Sequence, residues 1–195
     1  MGEASDLTHD RSAETTSRPR RLSPEARERF DECVLPYLDA AYNLARYLLR
    51  DPHEAEEAVQ DAFLRAIGHF DGFRGTDGRA WLLSIVRNTC FTQFRRRRSG
   101  GGKVEFDEEL HSGEDQVSEP EAELARSIAA RSVREGLGRL AVEFREVLVL
   151  RELEGLSYKE IAQVVGAPMG TVMSRLARGR KQLLLALESG AKESD

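Results

Sequence analysis

Apolar residues recur at helical spacing along most of the chain. Leu35, Leu38, Tyr42, Ala45, Leu48 and Leu49 fall mainly three or four apart and predict one amphipathic helix. A second has a marked start: Asp51 can cap it, Pro52 suits its first position, and Glu54 completes a capping-box arrangement. Ala55, Ala58, Val59, Ala62, Phe63, Ala66 and Ile67 form its apolar stripe, and Gly68, Gly72, Gly75 and Gly78 then break the pattern into a loop. A third helix carries Trp81, Leu82, Ile85, Val86, Phe91 and Phe94 and ends in the run Arg95 to Arg98. From Ser99 to about Val117 the chain opens Ser-Gly-Gly-Gly, turns acidic and offers little to bury, as a linker does. Ser118, Pro120 and Glu121 begin a further helix with Leu124, Ile128, Val133, Leu137 and Leu140, and Phe144, Val147, Leu148 and Leu150 mark the next, which Gly155 ends. No long alternating β-branched run occurs. The pattern predicts an all-α protein of two small helical domains, residues 29–98 and 121–188, joined by a flexible acidic linker at 99–120. A disordered tail, rich in Ser, Thr, Arg and Glu, is predicted at 1–28.

The most specific local pattern runs from Leu156 to Leu184. Ser157 and Glu160 form a capping box, with Leu156 and Ile161 at the two staple positions. Ile161, Ala162 and Val165 supply an inner face, Gly166 stands where a short helix needs a left-handed end, and Pro168 restarts the chain at a helix N-terminus. Two helices joined by so tight a turn make a helix-turn-helix. In the second, Val172, Leu176, Leu183 and Leu187 fall on one side, whereas Thr171, Ser174, Arg175 and Arg178 fall together on the other. Such a face can enter a major groove, where arginine binds guanine through two hydrogen bonds, each good contact being worth roughly 1–3 kcal/mol of discrimination. Arg180 and Lys181 lie toward phosphate. A basic helix alone would read as a solvated face; the ordered succession of cap, Gly turn, Pro restart and basic helix favours DNA binding.

Composition narrows the field. In 195 residues, charged groups make up 32% and hydrophobic ones 40%, as in a soluble helical protein. The net charge of −5 argues against a nucleic-acid binder only on average, because binding depends on local patches. Bases cluster at Arg95 to Arg98 and at Arg175, Arg178, Arg180 and Lys181, while acids gather at Glu54 to Asp61 and from Glu105 to Glu123. No window has the apolar length of a membrane span, and Met1 to Arg21 lacks the apolar core of a secretory signal, so cytoplasmic residence is expected. Cys33 and Cys90 read as reduced thiols, and no cofactor or metal is expected. No nucleophile-base set, metal cluster or phosphate loop points to an enzyme, and His53, His69 and His111 are scattered.

These residues carry a resemblance. Phe144-Arg-Glu-Val-Leu-Val-Leu-Arg-Glu-Leu-Glu-Gly-Leu-Ser-Tyr-Lys-Glu-Ile-Ala162, with Pro168-Met-Gly-Thr-Val-Met-Ser-Arg-Leu-Ala-Arg-Gly-Arg180, resembles region four of extracytoplasmic-function (ECF) sigma factors. Asp51 to Arg65 and Arg79-Ala-Trp-Leu-Leu-Ser-Ile-Val-Arg-Asn88 resemble region two. The two matches cover nearly all of residues 30–188. The resemblance implies a subunit that binds core RNA polymerase and directs promoter-specific initiation, in a stress or envelope response. Region two would engage the polymerase clamp and open the minus-ten element, region four would hold the minus-thirty-five element as duplex, and an acidic linker could mimic nucleic acid inside polymerase. An anti-sigma factor is an expected partner, and the unbound protein is expected to be a monomer.

The resemblance also implies residue roles. Asp51, Glu54, Glu57, Gln60, Asp61, Phe63 and Arg65 correspond to the core-polymerase segment, although an Asp61–Arg65 pair would equally suit a solvated face. Arg87, Asn88, Phe91, Thr92, Arg95 and Arg96 would lie near the minus-ten non-template strand, with Arg96 to Arg98 on phosphates. Trp81 reads as core rather than as a base-stacking group. Thr171, Met173, Ser174, Arg175, Arg178, Arg180 and Lys181 would meet the minus-thirty-five element. Two positions depart from the family: Thr92 stands where Asp is frequent and Met173 where Lys is frequent, which bears on promoter preference. After Leu187 only a short polar tail is read. The rival readings are a sigma-like mimic that sequesters an anti-sigma factor and a stand-alone helix-turn-helix regulator.

Overall fold

The protein is seen in a computed structural model that describes residues 22–75, 77–99 and 120–193. Eight α-helices form the described part: α1 Pro24–Cys33, α2 Leu38–Leu49, α3 Pro52–His69, α4 Gly78–Ser99, α5 Pro120–Arg139, α6 Val142–Leu148, α7 Tyr158–Val165 and α8 Met169–Glu193. Among the described residues there is no strand, so the all-α expectation holds. Most of the predicted tail and linker lies outside the described residues, at 1–21 and 100–119.

Two boundaries need correcting: α8 runs to Glu193, past the expected end of the second domain at 188 and into the stretch read as a polar tail, and the N-terminal tail ends earlier than expected. Residues 24–28, read as tail, are the first turns of α1. Ser23 caps that helix by accepting from the Ala26 amide at 3.2 Å, and Pro24 occupies its first turn. The apolar pattern was too sparse to reveal it, because Phe30 is the one residue α1 buries. Phe30 meets Phe63 and Phe70 edge-on at 5.2 and 5.0 Å. Trp81 lies half-buried against Phe70 and Phe73, with ring centroids 6.0 and 4.7 Å away. It is core, as read.

The first unit, α1–α4, is built on small residues. Ala55, Ala58, Ala62 and Ala66 are all fully buried on one face of α3, which packs on α2 and α4. Leu44 and Leu48 of α2 and Leu82, Leu83 and Val86 of α4 supply the bulk that fills the space. Asp51 caps α3 through the Glu54 amide at 2.9 Å, but the reciprocal half of the predicted box is absent: the Glu54 carboxylate instead pairs with Arg97 across the helices. Gly78 starts α4 so close to α1 that a Cβ there would stand 2.0 Å from the Cys33 carbonyl oxygen.

The second unit is α5–α8. The chain between α6 and α7 makes a π-helical turn over Val149–Leu153, ending in Gly155 at φ 68°. The capping box of α7 is complete: the Ser157 amide donates to Glu160 Oε2 at 2.6 Å and the Glu160 amide to Ser157 Oγ at 3.3 Å. Gly166 closes α7 at φ 66°, its amide donating to the Ala162 carbonyl. Val172 and Leu176 anchor α8 on α6 and α7, and Gly179 lets Leu148 approach closely. The helix-turn-helix is present as the sequence predicts.

The two units do not stand apart. Their buried residues form one continuous cluster, and α2 packs on α6 while α4 packs on α7. Polar groups reinforce the seam. Buried Arg145, on α6, donates to the Tyr47, Leu48 and Leu140 carbonyls at 3.0, 3.3 and 3.0 Å. Two of these are among the last carbonyls of α2, which lack intrahelical partners, so a cation of the second unit satisfies a helix end of the first. Burial pushes the Arg145 pKa down to about 10, helped by the Arg50 charge, so it remains cationic at neutral pH.

Two outcomes follow. Gly78→Ala is expected to destabilise the protein by about 1–3 kcal/mol in denaturant titrations, because backbone rather than a flexible tip must give way. Desolvation pushes the Cys90 thiol up to about 12. A thiol reagent is therefore expected to modify half-exposed Cys33 promptly and Cys90 after unfolding; equal rates would contradict this burial.

Candidate nucleic-acid interface

Three helices carry the proposed contact residues, and each is fixed by its buried face. On α3 the alanine stripe turns Glu57, Gln60, Asp61 and Arg65 outward. Glu57, Gln60, Asp61 and Leu64 share one face by spacing, and Leu64 is 57% exposed. Sequence reasoning missed Leu64; its place outside the alanine stripe was the available signal. Asp51 is exposed at the cap. Two other members of the predicted set are otherwise engaged: Glu54 pairs with Arg97, and Phe63 packs edge-on against Phe30. Arg65 donates to Thr89 Oγ1 at 3.2 Å rather than pairing with Asp61.

On α4, Arg87, Phe91 and Arg95 follow one another at i,i+4. The Arg87 guanidinium stacks 4.2 Å from the Phe91 ring centroid. Asn88 is exposed, and Thr92 is half-buried with its hydroxyl donating back to the Asn88 carbonyl at 2.9 Å. Arg95 and Arg96 are exposed; the side chain of Arg98 lies outside the described residues.

On α8, Met173, Ser174, Arg178 and Lys181 are exposed and Thr171 is half-exposed. Met169 and Met173, 53% and 50% exposed, set two apolar side chains one turn apart beside them. The other two predicted arginines hold carboxylates. Arg180 donates to Glu152 Oε1 through Nε and Nη2 at 3.0 and 2.7 Å, and this hydrogen bond holds its pKa above the ordinary value. Arg175 turns to Glu146, with Nη1 3.3 Å from Oε1.

Glu146 was not singled out from sequence, yet it joins α4 and α8. It is fully buried on α6, and its carboxylate accepts from Arg87 Nε at 2.8 Å as well as from Arg175. Burial pushes its pKa up, against the opposing hydrogen bond and charge of Arg87 and the charge of Arg175. A second buried carboxylate repeats the arrangement at the rim. Glu154 accepts from Arg79 Nη2 at 3.0 Å and Asn43 Nδ2 at 3.3 Å, and its carbonyl accepts from Arg79 Nη2 at 2.6 Å. Among the described residues no cluster could hold a metal ion, and no helix is long and apolar enough to cross a membrane.

Comparison with known proteins places this geometry. Residues 33–100 match the family model for Sigma-70 region 2, and residues 130–183 that for Sigma-70 region 4. The chain is 33% identical to the RNA polymerase sigma-H factor of Pseudomonas aeruginosa, over 96% of this chain and all of that one. The chain belongs to the sigma-70 family, as an ECF sigma factor. It is also 34% identical to the ECF RNA polymerase sigma factor SigE of Mycolicibacterium smegmatis, over 79% of this chain and 60% of that one. Among solved structures it is similar to the sigma factor RpoE from Bartonella quintana, crystallised with the anti-sigma factor NepR. The TM-score is 0.68 and the identity 26%, covering 83% of this chain and 98% of the other. The region 2 match thus spans α2–α4, the region 4 match runs from within α5 into α8, and the sigma factor directs core RNA polymerase to promoters.

The two recognition-helix arginines are expected to separate in a melting experiment. Arg178→Ala, which removes an exposed side chain, should leave stability within about 0.5 kcal/mol. Arg175→Ala strips one of two cations from a buried carboxylate and should cost about 1–3 kcal/mol. The raised pKa of Glu146 means that the folded state binds its proton more tightly than the unfolded one. Any stabilisation from this group is therefore present at low pH and lost as pH rises through the folded value, so ionising the carboxylate burdens the fold. Glu146→Gln should accordingly leave the neutral-pH melting temperature nearly unchanged, whereas a large drop would show that the ion pairs outweigh desolvation.

Proposed function

We propose that the outward face of α3, with Glu57, Gln60, Asp61, Leu64 and Arg65, docks on core polymerase, while α4 and α8 divide the promoter between them. The observation that carries this reading is the separation of faces. Each helix buries an apolar stripe and leaves a polar face, acidic and apolar on α3 but basic on α4 and α8. An acidic face repels phosphate and suits a basic protein surface, whereas basic faces gain affinity from counterion release on DNA.

On α4, Asn88, Phe91 and Thr92 contact unpaired minus-ten bases, and Arg87, Arg95 and Arg96 hold the strand. Base capture offsets unstacking at a few kcal/mol per base. On α8, Ser174 and Arg178 read base edges in the minus-thirty-five major groove, and Lys181 holds phosphate. Met173, in place of a cation, favours an apolar contact such as a thymine methyl. Arg175 and Arg180 act chiefly by setting α8 on the carboxylates of Glu146 and Glu152. Tethering two weak contacts raises overall affinity through effective concentration. The factor performs no bond chemistry itself and works in the cytoplasm with polymerase. An anti-sigma factor, like that bound by the Bartonella quintana protein, is a natural partner.

Run-off transcription with purified core polymerase tests the whole reading. Promoter-dependent product is expected; none across a broad template library would favour a mimic or a stand-alone regulator. Within it, Asp61→Lys should weaken co-purification with core by about tenfold while leaving the fold intact. Unchanged affinity would remove Asp61 from the interface.

A further inference from the structure

The outer surface of α8 has two unlike flanks. Met169, Met173 and Ala177 follow one another at i,i+4, and all three are exposed, the methionines at 53% and 50%. Thr171, Arg175 and Arg178 form the opposite flank, and exposed Gly170, Ser174 and Lys181 lie on the crest between them. Buried Val172 and Leu176 fix the helix from beneath, so this division cannot rotate away. Arg180 falls on the methionine flank by spacing, but Glu152 holds it, with Nη2 2.7 Å from Oε1. That flank therefore presents apolar surface rather than a free charge. A Cβ on Gly170 would meet nothing within 4 Å outside its own turn. Packing inside the protein gives no reason for a glycine there, where it weakens a helix, but bare backbone lets a bulky partner come close.

We infer that Met169, Met173 and Ala177 form a specificity-determining site for thymine 5-methyl groups, so that the minus-thirty-five element of this factor carries a short A·T run beside the guanine met by Arg178. This deepens the reading of α8 as the minus-thirty-five helix and rests on it. Of the four base-pair edges in the major groove, those with thymine alone present an apolar group. Against guanine O6 and N7 or cytosine N4, thioether and methyl groups strip water from polar atoms and return no hydrogen bond. The stripe thus selects by penalising the wrong base as well as by contacting the right one. A Lys at 173, frequent in the family, would offer a donor to guanine; Met offers none.

Charge decides the occupant. An apolar protein helix could cover the methionines, but it would press on exposed Arg178 and Lys181 and leave their charges without partners. Duplex DNA offers methyl groups and phosphates within one groove, so both kinds of surface are matched together. Spacing then orders the element. Met169 and Met173 stand about 6 Å apart along the helix axis, and successive base pairs are about 3.4 Å apart, so the two side chains span about two base steps. Arg178 lies about 7.5 Å beyond Met173, which puts its guanine roughly two steps further on. The unbranched, polarizable methionine side chains can adapt to methyl positions that a stiffer residue would miss.

The test uses holoenzyme assembled from the full chain and purified core polymerase. A template library randomised across the minus-thirty-five window yields the preferred element. Each thymine in that window is then replaced singly by deoxyuridine, which pairs with adenine in the same way and lacks only the methyl group. Binding is measured by competition at one fixed salt concentration. Two of these replacements should each weaken binding about fourfold, as expected for losing one buried methyl. In the variant carrying Met169→Ala and Met173→Ala the same replacements should have no further effect, whereas Met173→Leu should keep the thymine preference. A double variant that binds more weakly but keeps the parental thymine-to-uracil ratio would overturn the inference, because a loss of fold or of general affinity lowers both templates alike. So would weaker co-purification of that variant with core polymerase in the absence of DNA, which would assign the stripe to a protein partner. If no thymine responds while Arg178→Ala still weakens binding, the methyl site fails and the minus-thirty-five reading stands. If Arg178→Ala and Ser174→Ala both leave binding at the parental level, that reading fails and the methyl site falls with it.

Discussion

A buried carboxylate flanked by arginines from two different helices governs how this sigma factor is arranged. Glu146 lies fully buried on α6, at the meeting point of α4 and α8. An ionised carboxylate there is tolerable only with cations against it. Arg175 comes from its own helix-turn-helix unit, but Arg87 comes from the other region, so part of the electrostatic balance of region four is supplied by region two. Arg145 makes the reciprocal donation, giving region four's charge to the open carbonyl end of α2. Each region thus completes polar groups of the other, which a greasy seam alone would not require.

That reciprocity changes the meaning of the recognition helix. On a helical wheel, Arg175 belongs to the face that also carries Thr171, Ser174 and Arg178, and by spacing alone all four are equal candidates for a base contact. The structure divides them. Arg175 stands three residues after Val172 and one before Leu176, both buried, so it sits at the edge of the packed stripe, and its long stem reaches inward to Glu146. Arg178 faces solvent. The surface proposed to face the groove is therefore narrower and less basic than the count of arginines suggests, with exposed Met169 and Met173 adding apolar area, the latter where Lys is frequent in the family.

What sequence made legible, and what it hid, follows from the range of the forces involved. The caps of α3 and α7, the left-handed Gly166 and the alanine stripe of α3 are decided within a few residues, and each could be read from a few letters. Residues 145 and 146 could not. In a run of Phe144, Val147, Leu148 and Leu150 an Arg-Glu pair looks like the solvated side of a helix, and contacts as far as some 60 to 100 residues away help to bury it. α1 escaped for the opposite reason: its cap is clear in Ser23 and Pro24, but with one buried side chain it has no periodicity to detect. At the site, Glu57, Gln60, Asp61, Asn88, Arg95 and Arg178 are exposed, whereas Arg87 and Arg175 turn to a buried acid and Arg180 to an exposed one, because an arginine's partner is a tertiary fact.

The same acids bear on how a protein of net negative charge can use DNA. Counterion release from DNA rewards each arginine that reaches phosphate, but an arginine already paired with a carboxylate must give up that pair to do so. Several basic groups on α4 and α8 are already matched to carboxylates: Arg87 and Arg175 to Glu146, Arg180 to Glu152, Arg97 to Glu54. If α4 and α8 meet DNA as proposed, binding promoter exchanges one set of ion pairs for another instead of creating them, and the net gain and the affinity for arbitrary DNA are expected to be modest. For a subunit that has to let polymerase scan and then commit at chosen sites, low intrinsic affinity is useful. It would confine tight binding to complexes in which polymerase and both promoter elements contribute together.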